Sequence, residues 1–181
     1  MNKIIDQTFK VAIYLRLSKE DDDLSCSSGA KSESNSISNQ RKLIYDFMKS
    51  HPELELYDEY KDDGKSGSNF DRAEFQRMMK DIEAGKVNCV IVKDQSRFGR
   101  DYIDVGKYKE KIFPKLGVRF ITINEGYDSL SATSSDDLAF TINSFVYDFY
   151  IRDISTKIRT NLTAKKQNGE YAGAFVAYGY V

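Results

Sequence analysis

The chain has 181 residues, 40% of them hydrophobic, and its 27 basic side chains nearly balance 28 acidic ones for a net charge of -1. That is enough for one domain with a proper core and a short appendage, and the charge balance excludes a global pull towards nucleic acid or anionic lipid, so such binding must come from local clusters. No apolar run approaches the ~20 residues of a bilayer span, and residues 1–10 lack the apolar centre of a secretion signal, so a cytoplasmic protein is the expectation.

The first predicted element is a strand ending in Tyr14-Leu15-Arg16-Leu17-Ser18. Alternate side chains of a strand share a face. Val11, Ile13, Leu15 and Leu17 form an apolar face, and Ala12, Tyr14, Arg16 and Ser18 form the other. The apolar face implies a core. A phenol, a guanidinium and a hydroxyl on the opposite face call for a second explanation. Residues 19–35 are polar, rich in serine and acid, and without periodicity, and read as a loop. A helix capped by Ser36 follows, with Ile37, Leu43, Ile44, Phe47 and Met48 on one face, and stops at His51-Pro52.

Residues 54–60 predict a second strand, and 62–68, Asp-Asp-Gly-Lys-Ser-Gly-Ser, a turn-rich loop. A helix over 72–83 places Phe75, Met78, Met79 and Ile82 on its buried side and ends at Gly85. Residues 87–92, "VNCVIV", predict a central parallel strand covered on both faces. A loop over 93–100, a helix over 101–116 and a strand over 118–123 complete the alternation. Strand and helix alternating in this way predict an α/β fold around a largely parallel sheet, with ligands beyond the carboxyl ends of the strands. Ser18 and the loop from Ser96 to Arg100 both fall there.

From Asp136 to Asn168 there is neither proline nor glycine. A helix of that length runs about 50 Å, longer than the domain is wide. Leu138, Ile142, Phe145 and Phe149 form one stripe on it, and Tyr147, Ile151, Ile154, Ile158 and Leu162 another. Two stripes predict a helix that serves both its own core and a partner. Residues 152–166 carry five basic side chains and one acid, a cluster suited to a phosphate backbone.

Two cysteines and one histidine give neither a disulfide framework nor a zinc site. "GKSGS" at 64–68 is no nucleotide loop, since the required glycine five residues earlier is Glu59. The acidic run 20–23 reads as solvated rather than metal-binding. A serine hydrolase would need a histidine beside its nucleophile and a sharp glycine-flanked turn, and neither exists here. The remaining chemistry-bearing residues are a hydroxyl, Ser18, and arginines: Arg16 on the same strand face, Arg72 at a helix start, Arg97 and Arg100 spaced to share one side of a helix. Guanidinium groups grip phosphate in a forked manner and stay charged. Several of them around one hydroxyl suit attack on a phosphodiester.

"YLRLS", "SISNQ", "DDGKSGSNFDR" and "VKDQSRFGRD", in that order and spacing, resemble the catalytic domain of the serine recombinases, the resolvase/invertase family. The long polar insertion after Ser18 and the terminal "GAFVAYGY" resemble the large members, which include integrases and transposases of mobile elements. The resemblance implies that Ser18 attacks DNA and forms a 5′-phosphoserine, with Arg16, Arg72, Arg97 and Arg100 around the scissile phosphate. Tyr14 and Gln40 match supporting positions, and Ser66 and Asp71 lie in the loop leading to Arg72. It further implies double-stranded DNA as partner, homodimers that pair into a tetramer, and strand exchange that needs no cofactor or metal. The implied organisation is a resolvase-like core over 1–135, an oligomerisation helix over 136–168, and the start of a DNA-binding domain over 169–181. Two departures stand out: Ser96 occupies a position where small members carry aspartate, and their Glu-Arg pair has no clear counterpart around Tyr150-Ile151. The rival readings are a catalytically silent assembly module and a small-molecule phosphotransferase.

Overall fold

A computed structural model describes residues 8–17, 35–62, 72–99 and 101–170. Its centre is β1 (Phe9–Arg16), where every residue but Lys10 is buried. The sequence pattern predicts one buried face, but both are buried because helices cover the sheet on each side. Val11, Ile13, Leu15 and Leu17 pack with Ile37 and Ile44 of α1 (Asn35–Lys49). Ala12 and Tyr14 pack on the other side with Phe75, Met78 and Ile82 of α2 (Ala73–Glu83). Tyr14 is thus a core residue as well as a polar one.

The strand order is β2-β1-β3-β4-β5. The first four strands run parallel, and a short β5 (Tyr127–Asp128), unforeseen in the sequence, pairs antiparallel with β4 (Arg119–Thr122). β2 (Leu54–Asp62) is longer than its pattern predicts and lies at the edge. Its register against β1 shifts between Val11 and Ala12, which pair with Leu56 and Asp58, so Tyr57 is an inserted residue. The insertion reverses the strand's phase. Leu54 stays with the α1-side core, whereas Tyr60 turns to the α2 side and Asp62 comes level with Arg16.

β3 (Cys89–Val92) is fully buried, as its β-branched run predicts. The segment after it, read as a loop, contains one helical turn, α3 (Gln95–Phe98), capped by Asp94. The helix predicted over 101–116 is interrupted: α4 (Tyr102–Lys107) passes through a π-helical turn (Tyr108–Ile112) into α5 (Phe113–Leu116). Pro114, which has no N–H to donate, lies immediately beyond the wide turn.

The last helix, α6 (Ser134–Gln167), begins two residues before its predicted start in a reciprocal cap between Thr133 and Asp136. Its contact with the body differs from the expectation. Leu138, Ile142, Phe145 and Phe149 are all exposed, as are Tyr147, Ile154, Ile158 and Leu162. The helix is seated instead by Phe140, 4.6 Å from the Tyr127 ring, and by Ser144. Asp137 holds the first turn down, accepting from Lys109 Nζ and the Tyr127 hydroxyl, each at 2.8 Å. No helix among the described residues is long and apolar enough to cross a membrane.

Candidate active site

The sheet's order reverses between β1 and β3: from β1 the chain passes to β2 on one side, then crosses back to β3 on the other. At such a point the connections leave in opposite directions and open a crevice beyond the carboxyl ends of the strands. Arg16 closes β1 at this crevice, and Ser96 and Arg97 follow β3 there.

Arg16 is nearly inaccessible, at 3% exposure. Its Nε donates to the Arg97 carbonyl at 3.0 Å, and an Nη donates to the Ser96 carbonyl. Those carbonyls orient the guanidinium without neutralising it. Gln40, from α1, braces the Arg16 backbone in both directions: its Oε1 accepts from Arg16 N at 3.4 Å and its Nε2 donates to Arg16 O at 3.2 Å. Arg97 reaches the same Arg16 carbonyl through Nη1 at 3.4 Å. Arg97 Nε also lies 3.9 Å from Asp94 Oδ2, so a carboxylate as well as backbone oxygen holds the second cation beside the first.

Arg72 joins them from the far side of the crevice. It is the residue preceding α2, with extended backbone, so its side chain leaves the helix start towards the sheet. Nη1 donates to the Tyr14 hydroxyl at 2.7 Å and to the Phe98 carbonyl at 3.2 Å. The Tyr14 hydroxyl in turn donates to Asp62 Oδ2 at 2.9 Å. Burial raises the Tyr14 pKa, against the opposing pull of Arg72, so the phenol keeps its proton and can donate it. Asp62 also accepts from the N–H groups of Glu74 and Phe75, at 3.2 and 3.1 Å, and so caps α2. One carboxylate thus fixes both the helix that carries Arg72 and the phenol that aims it.

The turn bearing Ser96 and Arg97 is anchored from below. Phe98 is fully buried, with ring centroids 5.5 Å from Phe75 and 5.0 Å from Phe120. Asp94 caps the turn from Oδ1, accepting from the Ser96 hydroxyl at 2.5 Å and from Arg97 N at 3.1 Å. Behind it, Glu125 Oε1 accepts from Gln95 N at 3.2 Å, and burial raises the Glu125 pKa.

Arg16, Arg72, Arg97, Tyr14, Gln40 and Ser96 are therefore brought together, a convergence that spacing alone leaves open. Ser18, Ser66, Asp71 and Arg100 lie outside the described residues. The single helical face suggested for Arg97 and Arg100 does not form, because α3 ends at Phe98 and Gly99 is extended. Asp62 and Phe98 are the residues the sequence reading missed. The Asp94-Gln95-Ser96-Arg97 spacing is a visible capping signal, whereas Asp62 reads as the first residue of a turn until the phase change in β2 is known.

The Resolvase family model, described as the resolvase N-terminal domain, matches residues 11–171. The N-terminal catalytic domain of TP901-1 integrase is similar at 27% identity and a TM-score of 0.59, over 79% of this chain and 97% of that one. A resolvase family site-specific recombinase from Streptococcus pneumoniae is also 27% identical, with a TM-score of 0.55, over 88% of this chain and 99% of that one. The C-terminal catalytic domain of ISC1926 TnpA, an IS607-like serine recombinase, shares the fold at 20% identity and a TM-score of 0.51, over 90% of this chain and all of that one. No curated protein sequence matches significantly.

Proposed function

The chain belongs to the resolvase family of serine recombinases, and from that premise we propose that it cuts and rejoins double-stranded DNA at specific sites through a phosphoserine at Ser18. The observation that carries the reading is the gathering of Arg16, Arg72 and Arg97 at the crevice where β1 ends, two residues before Ser18 in sequence. A phosphodiester carries one negative charge shared over two non-bridging oxygens, and the charge on its oxygens is redistributed during displacement. Fixed guanidinium groups stabilise that charge without reorganising at the moment of reaction.

In the proposed step the Ser18 hydroxyl loses its proton as its oxygen bonds to phosphorus. The bond from phosphorus to the 3′ oxygen breaks, and that oxygen takes up a proton as it leaves. The 5′-phosphoserine keeps the bond energy, so a 3′ hydroxyl from another strand reverses the step without a cofactor. Arg100, Ser66 and Asp71 complete the site in this proposal, and the Asp94–Ser96 pair supports its rim.

Residues 1–135 act as the catalytic core, 136–168 as an oligomerisation helix and 169–181 as the start of a DNA-binding domain. The exposed Leu138, Ile142, Phe145, Val146 and Phe149 support association of two copies into the homodimer, and pairing of dimers into a tetramer, through α6. The basic side chains of 152–166 then follow the DNA backbone.

The test is a covalent trap. The intact chain is incubated with DNA from both ends of the element that encodes it, quenched in denaturant, and examined for protein-linked DNA. An adduct at 5′ ends that disappears in Ser18→Ala is the expected result. An adduct that persists in Ser18→Ala refutes the nucleophile, and no adduct despite DNA binding and synapsis refutes the chemistry in favour of a silent assembly module.

A further inference from the structure

Gln95 is a buried amide, 2% exposed, that the chemistry above does not use. Its Nε2 donates to the Phe140 carbonyl of α6 at 3.3 Å, and its Oε1 accepts from the Ser144 hydroxyl. Ser144 is itself buried, and it is the last buried side chain along α6 among the described residues. Beyond it the described side chains of α6 are half-buried or exposed.

An apolar side chain would fill this space at no desolvation cost, whereas a buried amide must find partners. An apolar contact also tolerates sliding. A hydroxyl and a carbonyl four residues apart on one helix face match the two ends of the Gln95 amide in a single register, so the pair fixes where α6 sits. The other end of Gln95 is equally constrained: its N–H ends on Glu125 and its carbonyl accepts from Gly99 N at 3.0 Å.

The next two residues carry the carbonyls that hold Arg16. α3 is a single four-residue turn, so these carbonyls and the Gln95 side chain belong to one small unit. Tyr147, one turn beyond Ser144, has its pKa raised by partial burial and then by the charges of Glu125 and Asp94.

We propose that Gln95 and Ser144 form a latch through which the seating of α6 sets the orientation of Arg16, making Gln95 a positioning residue for cleavage. The inference rests on the recombinase reading for its effect on rate, and on geometry alone for its effect on Arg16. A change in α6 at Ser144, such as the packing of a second copy against it, is then felt at the phosphate-facing guanidinium through one turn of backbone.

Gln95→Leu, Ser144→Ala and the double variant would be compared with the parent chain. Four quantities are read: the initial rate of covalent adduct formation, DNA affinity, melting temperature, and the Arg16 Nε–H resonance, assigned by its loss in Arg16→Lys. Each single variant is expected to slow the adduct about tenfold and to shift the Arg16 resonance, with DNA affinity unchanged. The double variant is expected to be no slower than the slower single, because both changes open one latch. Unchanged rates with an unmoved Arg16 resonance would overturn the proposal. So would losses that multiply in the double variant or that track melting temperature. A parent chain that forms no adduct sinks the recombinase reading, and the Arg16 resonance then decides the latch by itself.

Discussion

Replacing Asp62 by alanine is expected to cost the fold about 3 kcal/mol, and replacing it by asparagine about 1 kcal/mol. The carboxylate receives three donors: the Tyr14 hydroxyl and the N–H groups of Glu74 and Phe75. Losing a helix cap costs about 1 kcal/mol. Losing a hydrogen bond from a buried hydroxyl to a charged acceptor costs about 1.5–3 kcal/mol. Alanine forfeits both. Asparagine keeps a capping oxygen and a neutral acceptor, and loses only the charge-assisted part. Urea unfolding at pH 7 would read the difference, and by calorimetry the alanine variant should melt about 6–12 °C lower. Tyr14→Phe supplies the control. It should cost less in the Asp62→Ala background than in the parent chain, because the shared hydrogen bond has already gone. Equal stabilities for the alanine and asparagine variants, or additive losses with Tyr14→Phe, would refute the account of Asp62 as the common anchor of Tyr14 and α2.

Burial raises the Glu125 pKa, so its ionised form is penalised in the folded chain more than in the unfolded one. Below the ordinary carboxylate range both forms are protonated and the penalty is absent; it develops as pH rises through the raised folded value. Glu125→Gln should therefore raise the melting temperature at pH 7, and the gain should shrink towards pH 4; a gain independent of pH would refute it. Ile142→Asp combined with Phe149→Asp places charge on the exposed face of α6. Sedimentation should show association of the parent chain and its loss in this variant, with unfolding stability changed by less than ~0.5 kcal/mol. Equal association of the two would show that this face is not the contact.

Much of the sheet was legible because its signals are local. A β-branched run such as Val90-Ile91-Val92 has few alternatives to a buried strand, and the amphipathic spacing of Phe75, Met78, Met79 and Ile82 identifies α2. What escaped depends on partners distant in sequence. The inserted Tyr57 is invisible until β1 lies beside β2, and with it the turn of Tyr60 and Asp62 to the other side of the sheet. Neither apolar stripe read along α6 supplies its seat among the described residues. Phe140 takes that role because β5 brings Tyr127 beneath it, and Ser144 because Gln95 reaches it, and a two-residue strand leaves no periodic trace. For the site, residue types pointed to Arg16, Arg72 and Arg97, and the contacts among them came from the crossing of the chain. Asp62 carried no comparable signal.

The seat of α6 also makes it a lever. Between Asp137 and Ser144 the helix is held over about 10 Å, while from Ser144 to Gln167 it overhangs by about 35 Å. The lengths stand in a ratio of about 3.3, so rocking the seat by about 1 Å at one end sweeps the tip through about 3.3 Å. A force applied at the tip arrives at the Asp137 end of the seat multiplied by the same factor. Weak contacts far out on the helix can therefore work against a fulcrum one turn of chain away from Arg16.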